Sequence, residues 1–226
     1  MSAAPVAVAS TLECGERWLV VRFASERDVL SWAPHGGGMR RARAVAWHRV
    51  REEELRPPVD PKILLAKRMR GAGLDHAIGL MTSRRLDAYT DVRCAWGDVI
   101  ARAVATVGLG NALRAGDPPG AAGRIGTINV LCEISMGLTQ EALVEALAIA
   151  VEARTVAILE SGCKSRISRG AASGTGTDCV VIAAPAGARS PATYAGKHTS
   201  IGHVIGASVH RAVSSGATRW LEEGRT

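Results

Sequence analysis

The spacing of apolar and polar positions changes several times along this chain, and each change marks an element. Residues 6–12 and 18–23 are apolar segments split by Glu13, Cys14, Gly15 and Glu16. That pattern predicts a hairpin around a glycine-containing turn. A short apolar piece, 29–32, leads to Ala33, Pro34 and His35, then to Gly36, Gly37 and Gly38. Consecutive glycines lose much conformational freedom on folding, so the run marks unusual dihedrals or close backbone approach. Residues 41–50 alternate at strand spacing, with Ala42, Ala44, Ala46 and His48 on one side. Residues 51–61 are charged and proline-containing and read as a connection. Asp60 before Pro61 predicts a helix start, because aspartate caps free amides and proline suits the first turn. That helix is expected to end near Gly71 or Gly73.

Residues 77–81 predict a short strand, 89–97 fit no single period, and 98–107 contain a further strand. Asp117, Pro118, Pro119 and Gly120 predict a surface loop. Residues 126–134 predict a strand with unlike faces. Ile128, Val130, Cys132 and Ile134 point one way; Thr127, Asn129 and Glu133 point the other, with Leu131 among them. A polar stripe on an interior strand needs partners, either a substrate or an internal network. Thr139 caps a helix over 140–160 whose apolar stripe is Leu143, Leu147, Val151 and Ile158, with Glu141, Glu145 and Glu152 near a second face. Residues 162–172 form a basic, glycine-containing loop, and Thr199 or Ser200 caps a last helix to about Glu223. The expectation is an α/β fold: a single domain over 1–226, a mixed β-sheet covered by helices, and short flexible termini. The pattern does not give the strand order.

Composition narrows this. The chain is 47% hydrophobic but holds only five Trp, two Tyr and one Phe, so Val, Ile, Leu and Ala must fill the core. No apolar stretch reaches the length of a bilayer span, and residues 1–10 lack the basic start and apolar centre of a signal peptide. Cys14, Cys94, Cys132, Cys163 and Cys179 are odd in number and widely spread, without a CxxC. Reduced thiols in a cytoplasmic protein are expected, with Cys132 and Cys179 as inert packing. His203 and His210 are not at metal-pair spacing, and no HxxxH or HExxH occurs, so no protein metal site is expected. The net charge of +7 raises nucleic-acid binding, but the basic residues are scattered and stacking aromatics are scarce. Neither a nucleic acid nor a membrane is expected as partner, and no pattern fixes the oligomeric state.

One stretch carries more chemistry than its surroundings. Ser173, Gly174, Thr175, Gly176, Thr177 and Asp178 run into the apolar segment 179–183, which reads as an interior strand. A small-residue loop thus delivers hydroxyls and a carboxylate to the mouth of a buried strand, where sites are commonly built. The plainer reading is a turn in which Asp178 caps backbone donors.

Taken in order, several segments resemble the adenosylcobinamide amidohydrolase family of corrinoid salvage. They are residues 30–38, 106–111 with 114–116, 126–129, Glu152 with Ala153, 173–178, and Lys197, His198 and Thr199 followed by Gly202. The resemblance covers about residues 6–215. It implies hydrolysis of the amide between a propionyl side chain of the corrin ring and aminopropanol, giving adenosylcobyric acid for cobalamin salvage. Some family members also accept complete corrinoids with another lower base. Cys163, His203, Trp32 and His35 are individual to this chain.

Amide hydrolysis needs a nucleophile, a proton for the leaving amine and stabilisation of an oxyanion. The first hypothesis is a water activated by a carboxylate, Asp178 first and Glu152 second, with His198 as proton donor. Lys197 or Asn129 would then stabilise the oxyanion. The rival makes Thr175 or Thr177 a covalent nucleophile. Gly36, Gly37 and Gly38 suit close backbone approach to a corrinoid, and Asn111, Thr127, Asn129 and Ser173 suit its peripheral amides. Cobalt enters as part of the corrinoid substrate, so no cofactor bound by side chains is expected. Two other classes stay open: a non-catalytic corrinoid carrier, and a phosphate or nucleotide binder using the Gly-Thr loop. Against the latter, the Walker lysine is absent and Asp178 would repel phosphate.

Overall fold

Alternation in the first third of the chain builds two long strands, of 14 and 12 residues. The computed structural model describes residues 8–119 and 125–224. Strand β1 (Thr11–Cys14) pairs antiparallel with β2 (Trp18–Ser31), as the hairpin pattern predicts. Residues 6 and 7 of the expected first segment, the expected flexible termini and Gly120 of the 117–120 loop fall outside the described residues.

β2 is one continuous strand, where the sequence suggested two apolar pieces. Four residues, Phe23 to Glu26, interrupt the regular pairing, and a bulge absorbs them. Arg22 pairs with Ala44 and Arg27 with Ala42, so residues 23–26 face Arg43 alone on β3 (Gly38–Arg49). Extra residues on one strand bend it. Helix α1 (Pro61–Gly71) starts as predicted, with Asp60 Oδ1 accepting from the amides of Lys62 at 2.7 Å and Ile63 at 3.2 Å. β4 (Ile78–Thr82) then runs parallel to β3. The stretch without a clear period forms β5 (Thr90–Trp96), which pairs with β6 (Val99–Val107).

The remaining elements are the short β7 (Ala112–Leu113), β8 (Ile128–Ile134), α2 (Gln140–Glu160), the short β9 (Gly174–Thr175), β10 (Cys179–Pro185) and α3 (Ser200–Glu223). Thr139 and Thr199 cap α2 and α3 through their hydroxyls. The main sheet runs β4-β3-β2-β10-β8-β6-β5, with β1 on β2, and β7 pairs with β9 apart from it. The β3–β4 and β8–β10 pairs are parallel, so the sheet is mixed.

All three helices lie on one face. Ile128, Val130, Cys132 and Ile134 of β8, with Val180 and Ile182 of β10, pack under α2 and α3. Val20, Ala44 and Ala46 pack with Leu65 and Met69 of α1. The buried side of α2 is mostly alanine (Ala142, Ala146, Ala150, Ala153 and Ala157) with Leu143 and Ile158. The expected stripe members Leu147 and Val151 sit half-buried at its edge. Small side chains let the helix approach the sheet closely.

Among the described residues no α-helix covers the opposite face, yet it is buried. Leu19, Val21, Val29, Val45, Trp47, Ile78, Leu80, Leu131 and Val181 form one cluster there. A single sheet buries such a face only by rolling up. The roll is visible across its opening, where Asn129 Nδ2 on β8 donates to the Met81 carbonyl on β4 at 2.8 Å. At one end of this interior lies an ionic cluster. Arg27 and Glu133, both fully buried, pair at 2.5 Å. The Ser10 hydroxyl donates to Glu133, and Arg102 binds Ser10 at 2.7 Å and Asp91 at 2.6 Å. The polar stripe of β8 is thereby divided: Glu133 serves an internal network, and Asn129 faces the other end of the roll.

Candidate active site

At that other end, the N-terminal ends of β8 and β10 open into a cleft of about 650 Å³. Asn111, Thr127, Asn129, Thr177 and Asp178 supply polar lining on one side, and Glu52, Arg56, Lys62, Thr82 and Ser83 supply the rest. The apolar lining comes from Trp32, Pro34, Val50, Leu55, Met81 and Cys179. A mostly apolar concavity with a few converging polar groups is the usual form of a small-molecule site.

The loop before β10 is shaped by one carboxylate. Asp178 Oδ1 accepts from the Ile128 amide at 3.0 Å and from the Thr175 hydroxyl. Its Oδ2 accepts from the Thr175 amide at 2.9 Å and from the Arg154 guanidinium, which reaches under the loop from α2. Burial pushes the Asp178 carboxyl up from its ordinary range, while Arg154 and the Thr175 donors pull it back down. Every ordinary acceptor position of the carboxylate is in use, so its immediate work is to hold the loop. Gly174 is required beside it: a Cβ there would collide with Asp178 Oδ2 and stand 2.9 Å from Arg154 Nη1. The indole NH of Trp32 donates to the Asp178 carbonyl at 2.6 Å, tying the end of β2 to the same loop.

Thr177 projects from this loop into the cleft. Its hydroxyl donates to the Gly126 carbonyl at 3.0 Å and lies 2.8 Å from the Thr127 hydroxyl. Thr175, by contrast, spends its hydroxyl on Asp178. Nor is the loop an open phosphate cradle, because the Thr175 amide is already bound by the carboxylate. Cys179 lines the cleft, but burial pushes its thiol up to about 12, so no thiolate forms at neutral pH.

The structure brings Asp178, Thr175, Thr177, Thr127, Asn129 and Asn111 together. It does not bring Glu152, Lys197 or His198 to them. Glu152 and Lys197 pair at 2.5 Å along a separate groove between α2 and α3, on the helix-covered side. His198 is exposed in the turn before α3 and is not part of the cleft lining. The joint arrangement expected for Asp178, His198 and Lys197 is corrected accordingly. The reason is helix geometry: residues two apart point about 200° away from each other. Arg154 therefore faces the loop while Glu152 faces outward.

Ser173 is turned aside, its hydroxyl accepting from the Ala115 amide at 2.8 Å. Gly36, Gly37 and Gly38 make the turn between β2 and β3 and do not line the cleft. Gly36 and Gly38 have φ of 72° and 89°, and a Cβ on Gly37 would stand 2.5 Å from the Ala33 carbonyl oxygen. Their glycines serve the turn that presents Trp32 and Pro34. Sequence reasoning missed Arg154, Trp32 and the connection that supplies Glu52, Leu55, Arg56, Pro57 and Lys62 to the cleft. The prolines of that connection were the one signal available, since they hold a loop stiff.

Residues 5–225 match the family model described as adenosylcobinamide amidohydrolase. The chain belongs to the adenosylcobinamide amidohydrolase family. Its similarity to the uncharacterized protein MJ1613 of Methanocaldococcus jannaschii is 36% identity over 90 residues, 39% of this chain and 34% of that protein. The matched part is thus about a third of the curated relative's length. Among solved structures, a Burkholderia sp. beta-aminopeptidase aligns over 92% of this chain and 81% of its own, with 14% identity and a TM-score of 0.45. In this member of the amidohydrolase family the Gly-Thr loop is a cleft wall fixed by Asp178 and Arg154. Among the described residues, no helix is long and apolar enough to cross a membrane.

Proposed function

We propose that this chain hydrolyses the amide between a corrin propionyl side chain and aminopropanol, releasing adenosylcobyric acid and the amino alcohol. The observation that carries the reading is the cleft: a polar floor of Thr127, Asn129 and Thr177 beneath apolar walls, in a member of this family. The walls suit the ring edge, and the floor suits the amide arm.

Within that reading Thr177 is the attacking group. Its oxygen lines the cleft beside the Thr127 hydroxyl, and its proton, held on the Gly126 carbonyl, turns to the amine for the transfer. Attack on the amide carbonyl forms an ester to Thr177 and breaks the C–N bond. The hydroxyl proton leaves on the amine nitrogen. Water then cleaves the ester, restoring the hydroxyl and giving the carboxylic acid. Asn129 and Asn111 are placed to bind the amide and the ring's peripheral amides. Cobalt arrives inside the substrate.

The test is incubation of purified protein with adenosylcobinamide in the presence of chelator, with products separated by chromatography. Adenosylcobyric acid is the expected product. Tight binding without product would replace the hydrolase by a corrinoid carrier. Thr177→Val should abolish turnover and Thr177→Ser retain part of it; intact-protein mass spectrometry after rapid quenching should show the ester on the active protein. Undiminished turnover by Thr177→Val would assign the attack to water instead.

A further inference from the structure

We infer that Trp32 is the platform on which the flat face of the corrin macrocycle stacks. This rests on the amidohydrolase reading and adds the residue that recognises the bulk of the substrate.

Trp32 stands immediately after β2, which ends at Ser31. It lines the cleft, and 47% of the residue is exposed. A tryptophan on a loop usually gains by turning its ring inward. Here the ring cannot turn, because its NH is bonded to the Asp178 carbonyl at 2.6 Å. The bond spends the polar edge of the indole on the protein, while the residue stays exposed in the cleft lining. Trp47, by comparison, is fully buried in the rolled sheet. A pinned, exposed indole face offers large contact area to a planar conjugated ligand at little entropic cost.

The position also suits the chemistry. The anchoring carbonyl belongs to the residue after Thr177, so the ring stands beside the loop that carries the attacking hydroxyl. Pro34 and Pro57 line the same cleft and add rigid apolar surface. A macrocycle lying on Trp32 would send one side-chain amide towards the floor at Thr177 and Asn129. An adenine ring has the same planar chemistry, and the adenosyl group of the substrate is the other source of such a face.

The experiment measures kcat and KM of wild type, Trp32→Phe and Trp32→Leu, with equilibrium dialysis of each against adenosylcobinamide and against cyanocobinamide, which lacks the adenosyl group. Trp32→Leu should raise Kd and KM roughly tenfold or more for both ligands, on the scale of one aromatic stacking contact. Trp32→Phe keeps a ring face and should recover most of the binding. An unchanged Kd for a folded Trp32→Leu, with wild-type turnover intact, would overturn the platform and leave the hydrolase standing. A penalty confined to adenosylcobinamide would overturn the macrocycle in favour of adenine. Absence of both binding and product in wild type would overturn the amidohydrolase reading, and the platform with it. Thermal melts of the variants separate binding loss from unfolding, and Trp32→Met, which fills the space without a ring face, takes the place of Trp32→Leu should that variant fail to fold.

Discussion

Asn129 on β8 donates to the Met81 carbonyl on β4 at 2.8 Å, linking strands four places apart in the sheet order. No ladder of backbone hydrogen bonds closes the roll there. A side-chain amide does so, directly at the cleft. Asn129→Leu should therefore lower stability by about 1–3 kcal/mol, the cost of stranding a buried carbonyl. It should also raise KM, since the two cleft walls are no longer held together. Urea unfolding followed by steady-state kinetics checks both effects.

The loop carrying Thr177 depends on space as much as on charge. Gly174→Ala places a methyl against Asp178 Oδ2 and Arg154 Nη1, neither of which is a free side-chain end. The expected outcome is a folded protein with a lower melting temperature and at least tenfold lower kcat. Normal kinetics in this variant would show that the Asp178–Arg154 pair does not set the loop.

Asp178→Asn separates anchor from base. An amide NH2 in place of Oδ2 would face Arg154 and the Thr175 amide, and in place of Oδ1 the Ile128 amide, donor against donor in either case. A loss of about 3 kcal/mol or more is expected, as for a broken buried ion pair. Arg154→Leu should show a comparable loss. A variant Asp178→Asn with wild-type stability and no activity would make the carboxylate a proton acceptor in the reaction.

The far end of the roll offers a control that leaves the cleft alone. Glu133→Leu strands the fully buried Arg27, whose Nε and Nη1 have no hydrogen-bond partner among the described residues, and should cost about 3–5 kcal/mol. Adding Arg27→Met should restore much of that. Denaturant midpoints of the two single variants and the double variant give the coupling directly.

Acid should loosen the cleft wall. The Glu54 carboxyl is held below its ordinary range by the Arg51 amide and then by Arg17 and Arg68. The bonds to the Arg51 amide and to Arg17 measure 2.8 and 3.0 Å. Glu54 lies in the turn that brings Glu52 and Leu55 to the cleft. A depressed folded-state pKa means that the unfolded chain takes the proton first. The stabilisation is complete above the ordinary glutamate range and is lost as pH falls through the depressed value. Stability curves of wild type and Glu54→Gln should converge at low pH and separate above it.

Helix starts were legible in the sequence because caps are local: Asp60, Thr139 and Thr199 each bond amides within three residues. The unlike faces of β8 were legible too, since alternation reports burial directly. What partners those faces was not. Glu133 finds Arg27, 106 positions away, and Arg27 sits in a polar run that looked like a break between strands. The bulge in β2 keeps that run in the sheet, and periodicity gives no sign of it. The Gly-Thr loop stood out by composition, whereas Arg154 looked like one more charge on a helix surface. Its role follows only from where α2 lies under β10.

β10 is the last strand to be made, yet its place is in the middle of the sheet, between β2 and β8. Until residues 179–185 emerge, those two strands each carry an open hydrogen-bonding edge beside apolar faces. Thr177 and Asp178 come just ahead of that keystone, so the cleft wall and the sheet are completed together in synthesis. A chain whose translation stops earlier is thus not a smaller version of this protein but a pair of adhesive half-sheets, and its expected fate is aggregation.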